Sequence, residues 1–540
     1  MKSPFDSASV PDSLPIIVGV GEHSVPAFDP SLPCAPVDLA AEAARRAAAD
    51  TGHAAAVLAD IDTVAFIRLF VDIGGWSPQP FGKSTKPPRS LCRRLGIAPP
   101  HAVYSKIGGN APQMMLNENA EKIVRGECRT LLLAGGEAQR SSDEAEKQGV
   151  QLDWNEDPPG ECTVLGEGGD DEQISALISM SEIVHGLDLP AASYALFENA
   201  LRARRGVTVK AHRASMARLM ARLAAVAAHN PHAAHAAFGK HHGAAELAAV
   251  TPDNRWIAHP FTRRMVADNR VDQAAAVIMT SVGNARRLGI PEDQWIYLRG
   301  CGDANDRLRA IDHVHYDAAP AIGVAARRAL AMAGLGVDEL DFFDLYSCFP
   351  VAVELACQEL GLAEDDPRDL TVTGGLPYFG GPLNAYSLHA IAETVARLRR
   401  GGLAGERHAL VTANGGLLSK QSAGVYSIVP APHAWRRTDP AVDQAQLDAE
   451  LPPRIEEAPS GPARIETYTV ICQRGEPARG VIVGRLLAEG SDGARFLANT
   501  PADRPDILAW LMAGTPEPIG TQGVVTHTDG ISTFIPQVPQ

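Results

Sequence analysis

The string Ala43-Ala44-Arg45-Arg46-Ala47 returns 282 residues later as Ala325-Ala326-Arg327-Arg328-Ala329, and each copy is followed by a glycine and then an acidic-apolar strand pattern. A second pair keeps almost the same spacing. Gly126-Glu127 with Arg129, an apolar run and Gly135-Gly136 returns 279 residues later as Gly405-Glu406-Arg407, an apolar run and Gly415-Gly416. Two independent matches at nearly one offset are hard to obtain by chance even in an Ala-rich chain, so the sequence predicts a duplicated fold.

Outward from the first copy, an apolar run from Pro15 to Val20 precedes an Ala-rich helical pattern from Val37 to Thr51. A second apolar run, Ile61 to Phe70, follows. Val103 to Ile107 then leads through Gly108-Gly109-Asn110 into a helix over 111–124, and Thr130 to Ala134 forms a strand stopped by glycines. Strand and helix alternate, which predicts an α/β sheet. Residues 149–254 break the alternation with an acidic stretch and then long helical segments, as an inserted loop domain would. After Tyr426 the chain turns Pro-rich to Pro462, and the runs Ile465 to Cys472, Gly480 to Leu487 and Gly523 to His527 have β character. The expected organisation is therefore a first half over 1–285 containing the insertion, a second half over 286–430, a linker over 431–462, and a small β-barrel-like domain over 463–540.

At 540 residues the chain exceeds what one core usually supports. Its 45% hydrophobic and 21% charged residues are globular values, and a net charge of -15 argues against a nucleic-acid binder. No stretch approaches the roughly 18 apolar residues of a membrane span. Eight scattered cysteines without CxxC pairing indicate neither a zinc site nor a disulfide framework, and a cytoplasmic protein is expected. His229, His232, His235, His241 and His242 cluster in one stretch, but no carboxylate or cysteine accompanies them at ligand spacing, so no metal is expected.

Several junctions carry a resemblance to a known family: Gly108-Gly109 opening a helix, Pro260-Phe261-Thr262 before an apolar strand, Leu345-Tyr346-Ser347-Cys348-Phe349, Gly380-Gly381-Pro382-Leu383-Asn384-Ala385, and Asn414-Gly415-Gly416. In order and spacing, over about Leu14 to Val429, these resemble the thiolase superfamily, and in particular sterol-carrier-type thiolases and thiolase-like proteins with an additional C-terminal domain. The resemblance implies a duplicated thiolase fold of two βαβαβαββ halves. It also implies coenzyme A as substrate or ligand.

Thiolases place a nucleophilic cysteine at the N-terminus of the first-half helix, where the helix end favours a thiolate and a developing oxyanion. The matching position here is Asn110, and no cysteine lies between His101 and Arg125. The histidine of the family's Gly-His-Pro motif corresponds to Gly381, and the cysteine of its Cys-x-Gly-Gly motif to Ala413. Cys348 is kept from a His-Asp-Cys-Phe motif, with Tyr346 in place of the histidine. Related aldolases carry a tyrosine in a similar Tyr-Asp-Cys-Phe setting, so Tyr346 and Cys348 are the candidate acid/base pair. Read without the family, Gly108-Gly109-Asn110 is also an ordinary strand-to-helix turn, and Tyr346 and Cys348 are also core residues.

Asn110, Asn384 and Asn414 are expected as oxyanion or substrate-binding groups, with Tyr386 and His389 flanking the same glycine loop. Arg202, Arg204 and Arg213, in the inserted segment, are expected at the CoA nucleotide. The resulting expectation is an enzyme acting on acyl-CoA or β-keto/β-hydroxy acyl substrates without a cysteine nucleophile. It would be acetyl-CoA acetyltransferase-like, or a retro-aldol or retro-Claisen lyase in lipid or aromatic side-chain catabolism. The alternative is a non-catalytic CoA-binding or partner-binding protein. A homodimer is expected through the strand Val103 to Ile107, together with a small acyl-CoA-binding partner domain protein.

Overall fold

A computed structural model describes residues 10–32, 34–72, 80–166, 176–233, 242–401, 405–488 and 491–538. The strands are β1 (Pro15–Ser24), β2 (Thr63–Phe66), β3 (His101–Tyr104), β4 (Thr130–Ala138), β5 (Thr163–Val164), β6 (Trp256–Ala258), β7 (Phe261–Thr262), β8 (Asp272–Ser281), β9 (Ile296–Asn305), β10 (Phe342–Asp344), β11 (His408–Gly415), β12 (Lys420–Ser427), β13 (Gly461–Gln473), β14 (Glu476–Ala488), β15 (Ser491–Asn499), β16 (Gln522–Thr528) and β17 (Ile531–Pro536).

The repeated alanine strings have a physical reason. Each lies on a helix, Pro36–Asp50 or Pro320–Ala333, packed against the first strand of its half, and each strand offers a Gly-x-Gly pair to it. A Cβ on Gly19 would fall 2.2 Å from the Ala47 carbonyl oxygen and one on Gly21 2.2 Å from that of Ala43. The second half repeats this with Gly300 at 2.1 Å from Ala329 and Gly302 at 2.2 Å from Ala325. Strand and helix backbones touch, so neither side tolerates a larger residue.

The second repeat is also built twice. Asp62 accepts the Arg129 N–H at 2.8 Å at the entrance to β4. Asp341, 279 residues later, accepts those of Arg407 at 2.6 Å and His408 at 2.9 Å at the entrance to β11.

The strands of the two halves run in the order β10-β11-β12-β9-β1-β8-β4-β2-β3-β5 and meet antiparallel at β1 and β9, with Ile16 opposite Tyr297 and Ile17 opposite Ile296. Helices Ala111–Val124 and Tyr386–Gly401 touch each other and strands of both halves, so they form the central layer. β3 is not a bare edge, because β5 pairs with it through Val103 opposite Thr163 and Tyr104 opposite Val164.

In the tail, β14-β15-β17-β16-β13 form a consecutive run, and β13 pairs back onto β14, closing five strands on themselves. β6 and β7, from outside the tail, extend this sheet beyond β13. Helix Pro190–Arg204 of the inserted segment packs on β13, where Asn199 Nδ2 donates to the Tyr468 carbonyl at 2.9 Å and Thr467 Oγ1 to the Leu196 carbonyl at 2.6 Å. Within the Pro-rich segment, helix Pro440–Asp448 is held to the second half by an ion pair between Arg328 and Asp443.

Candidate active site

The N-terminus of helix Ala111–Val124 opens onto a cavity of about 420 Å³. Gly108 turns the chain into it with φ 145, a backbone state that favours glycine. Gly109 lies beneath two neighbours: a Cβ there would sit 2.5 Å from the Asn414 carbonyl oxygen and 2.6 Å from the Tyr346 hydroxyl. The glycines therefore allow the helix end and the phenol to meet. Tyr194, Tyr346, Cys348, Asn384, Asn414 and Lys420 supply polar atoms around this point, Asp188 and Asn269 also line the cavity, and Phe70, Leu187, Phe349 and Leu376 supply apolar wall.

Tyr346 follows β10, with its N–H donated to Thr412 Oγ1 at 3.0 Å and its ring set edge-on to Tyr386, centroids 5.4 Å apart. Burial, reinforced by Cys348, holds the phenol well above its ordinary pKa. Burial also pushes the Cys348 thiol up to about 12. Both groups are therefore proton donors at neutral pH, rather than one acid and one base.

Asn414 Nδ2 donates to the Tyr194 hydroxyl at 2.8 Å and lies 4.0 Å from Cys348 Sγ. Its Oδ1 accepts from Gln421 at 2.9 Å. Lys420, at the start of β12, donates from Nζ to the Ile107 carbonyl at 2.9 Å, and burial with help from Lys106 pushes its pKa down to about 8. Sequence reasoning passed over Lys420 and Tyr194. A lysine opening an otherwise uncharged strand straight after the Gly415-Gly416 loop was the available signal for Lys420.

The other expected groups divide. Asn384 lines the cavity, although its Nδ2 is used on the Arg68 carbonyl at 2.9 Å. Asn110 does not line it, because its Nδ2 faces Ser422 Oγ at 3.4 Å. Tyr386 bonds Thr373 Oγ1 at 2.6 Å, and His389 Nδ1 bonds Glu22 Oε1 at 2.6 Å, both fully buried away from the cavity lining.

None of the three arginines lines this cavity. Arg202 is buried in a two-point pair with Glu517 of the tail at 2.6 and 2.7 Å, Arg204 is bound by Asp317 and Gln358, and Arg213 stacks over Trp256 at 5.4 Å. Of the histidine stretch, His229 and His242 bond local partners, His232 approaches Glu22, and His235 and His241 lie outside the described residues.

A second cavity of about 600 Å³ shares Val266 and Ala267 with the first. Arg263, Arg264, Arg270 and Tyr378 line it. Arg264 pairs with Glu246 and Arg270 with Asp143, whereas Arg263 has no side-chain ion pair among the described residues.

Two matched halves on a shared helix pair, with polar side chains converging on the N-terminus of the first of those helices, define the thiolase architecture. Within that superfamily the chain belongs to the SCP2-thiolase-like proteins of type 1. It is 38% identical to the structure described as a monomeric SCP2-thiolase-like protein type 1 from Mycobacterium smegmatis, with a TM-score of 0.80 over 97% of this chain and 99% of that one. The family model of the thiolase-like protein type 1 additional C-terminal domain matches residues 443–530.

A curated acetyl-CoA acetyltransferase of Methanothermobacter thermautotrophicus is 30% identical over 151 residues, 25% of this chain, and the match spans only 38% of that relative. An Ltp2-ChsH2(DUF35) aldolase shares the fold at 19% identity, with a TM-score of 0.58 over 79% of this chain and 100% of that one. No described helix is long and apolar enough to cross a membrane.

Proposed function

We propose that this protein is an acyl-CoA-directed enzyme that makes or breaks a carbon-carbon bond by proton transfer, without an acyl-enzyme intermediate. The observation that carries the reading is the Tyr346 hydroxyl, set against Gly109 at the helix N-terminus inside a cavity of about 420 Å³. A carbonyl drawn to that helix end would lie beside a protonated phenol able to donate to the oxygen as charge develops on it. Cys348 and Asn414 would extend the donor set. Lys420, its pKa pushed down to about 8, would add a cation or, in its neutral fraction, accept a proton.

The absence of cysteine from residues 101–125 supports non-covalent chemistry over acyl transfer through a thioester. The shared wall at Val266 and Ala267 supports a CoA path from the arginine-lined cleft into the reactive cavity, with Arg263 free for phosphate. The described likeness to an aldolase assembled with a DUF35 protein fits a small partner domain protein.

A second reading, a CoA-binding protein without turnover, is favoured by the protonated state of both Tyr346 and Cys348, which leaves Lys420 and the exposed carboxylate of Asp188 as the cavity's candidate bases. Incubation with a panel of acyl-CoAs and β-keto or β-hydroxy acyl-CoAs, followed by mass spectrometry, separates the two. Product formed with no acyl adduct on peptides from 101–125 supports the enzyme, whereas CoA binding with no product on any substrate supports the second reading.

A further inference from the structure

Glu22 near the end of β1, Glu393 on helix Tyr386–Gly401 and His232 beyond helix Val209–Ala227 come together away from the reactive cavity, with one ligand atom of each within 4.8 Å of the others. We propose that these three side chains bind one divalent transition-metal ion of the zinc class. His232 Nε2 stands 4.0 Å from Glu22 Oε2, too far for a hydrogen bond and close to the ~3.4 Å between two ligands of a tetrahedral ion with bonds of about 2.0–2.1 Å.

The charge balance favours a cation. Glu22 and Glu393 are both buried; the groups facing Glu22 include the imidazoles of His232 and His389, and Glu393 has no ion pair among the described residues. Glu393 Oε1 and His389 Nε2 are buried without any hydrogen-bond partner. Asn230 and, at longer range, Arg400 act on Glu393, but two adjacent buried carboxylates with no ion pair to a lysine or arginine are still costly, and a divalent ion offsets that cost.

The rest of the neighbourhood suits an ion. His389 Nδ1, 2.6 Å from Glu22 Oε1, would orient the carboxylate as an outer partner does in zinc sites. His232, with 34% of its side chain exposed, leaves an entry path. One imidazole and two carboxylates match zinc or its neighbours better than calcium or magnesium.

A second cluster, Glu198, His212 and Glu354, is equally compact but compensated from within: Arg205 sits 2.8 Å from Glu354, and His212 bonds Glu198 at 2.5 Å. It serves as the control.

The full-length protein, stripped with a chelator, is titrated with Co²⁺ and Zn²⁺ and followed by visible absorption and calorimetry. One equivalent per chain with d–d bands is expected. His232→Ala and Glu393→Gln should each weaken binding by roughly 100-fold, and Glu198→Gln should leave it unchanged. Absence of Co²⁺ absorption in the wild type overturns the proposal, as does equal affinity in His232→Ala or loss of binding in Glu198→Gln. If Glu393→Gln fails to fold, His232→Ala, at a part-exposed position, still decides.

Discussion

Tyr346 is the residue on which the functional reading depends, and its hydroxyl can be removed with little structural consequence. Tyr346→Phe keeps the edge-on contact with Tyr386 and the backbone bond to Thr412. Turnover should fall about 10²- to 10⁴-fold while CoA binding and thermal unfolding stay near wild type. Wild-type kinetics in this variant would make Tyr346 a packing residue.

Lys420 offers a test through pH. Its folded pKa, about 8, lies below the ordinary 10.5, so between those values the unfolded chain binds more protons and stability rises with pH. Below pH 8 the cost of the buried charge is complete. Lys420→Met should therefore raise stability by about 1–3 kcal/mol at pH 7, with the advantage shrinking toward pH 10. Urea titrations at several pH values read this, and a variant less stable at pH 7 would mean that the bond to Ile107 outweighs desolvation.

The Gly-x-Gly strands and the alanine helices are single units of backbone contact repeated in each half. Adding a methyl at Gly19 or Gly300 drives it within 2.2 or 2.1 Å of a helix carbonyl, a clash only backbone movement relieves. Gly19→Ala and Gly300→Ala should each cost at least about 1–3 kcal/mol, measured as a lower urea midpoint with unchanged slope. Similar losses in the two halves would match their common construction; loss at one alone would show that the halves no longer pack alike.

Other elements were legible for the same reason. Helix Ala111–Val124 and strands β4, β8, β13 and β16 carry their periodicity and glycine stops in the chain itself. β15 and β17 went unread, because β15, buried over 494–498, mixes Ser, Asp, Gly and Arg into its run, and β17 is a short, partly exposed strand; both leave a weak pattern.

At the scale of the molecule, the inserted helix Pro190–Arg204 docks the tail, with Arg202 as its anchor. Arg202 retains 2% side-chain exposure against 41% for Glu517, so Glu517→Gln strands a buried guanidinium. Discounted for the exposed glutamate, the expected loss is about 1–3 kcal/mol, with CoA affinity unchanged by calorimetry. Weakened CoA binding at full stability would return Arg202 to the nucleotide. Light scattering at micromolar concentration tests the homodimer expected through β3, whose Val103 and Tyr104 are already paired with β5; a monomer would show that β5 closes that edge. A dimer would require β5 to leave β3 or a different interface to form.

The sequence by itself determined the duplication, the α/β class, the β tail and the loss of the cysteine, because each is written in local period, glycine placement or the identity of one residue. It also brought Tyr346, Cys348, Asn384 and Asn414 to notice through motif order. Only the tertiary structure decided which groups share a space. Asn110 turns to Ser422, His389 to Glu22 and Arg202 to Glu517, while Lys420 enters the cavity. Each of these pairings joins residues far apart in the chain, and burial sets both the direction of a side chain and its proton affinity, which no local pattern records.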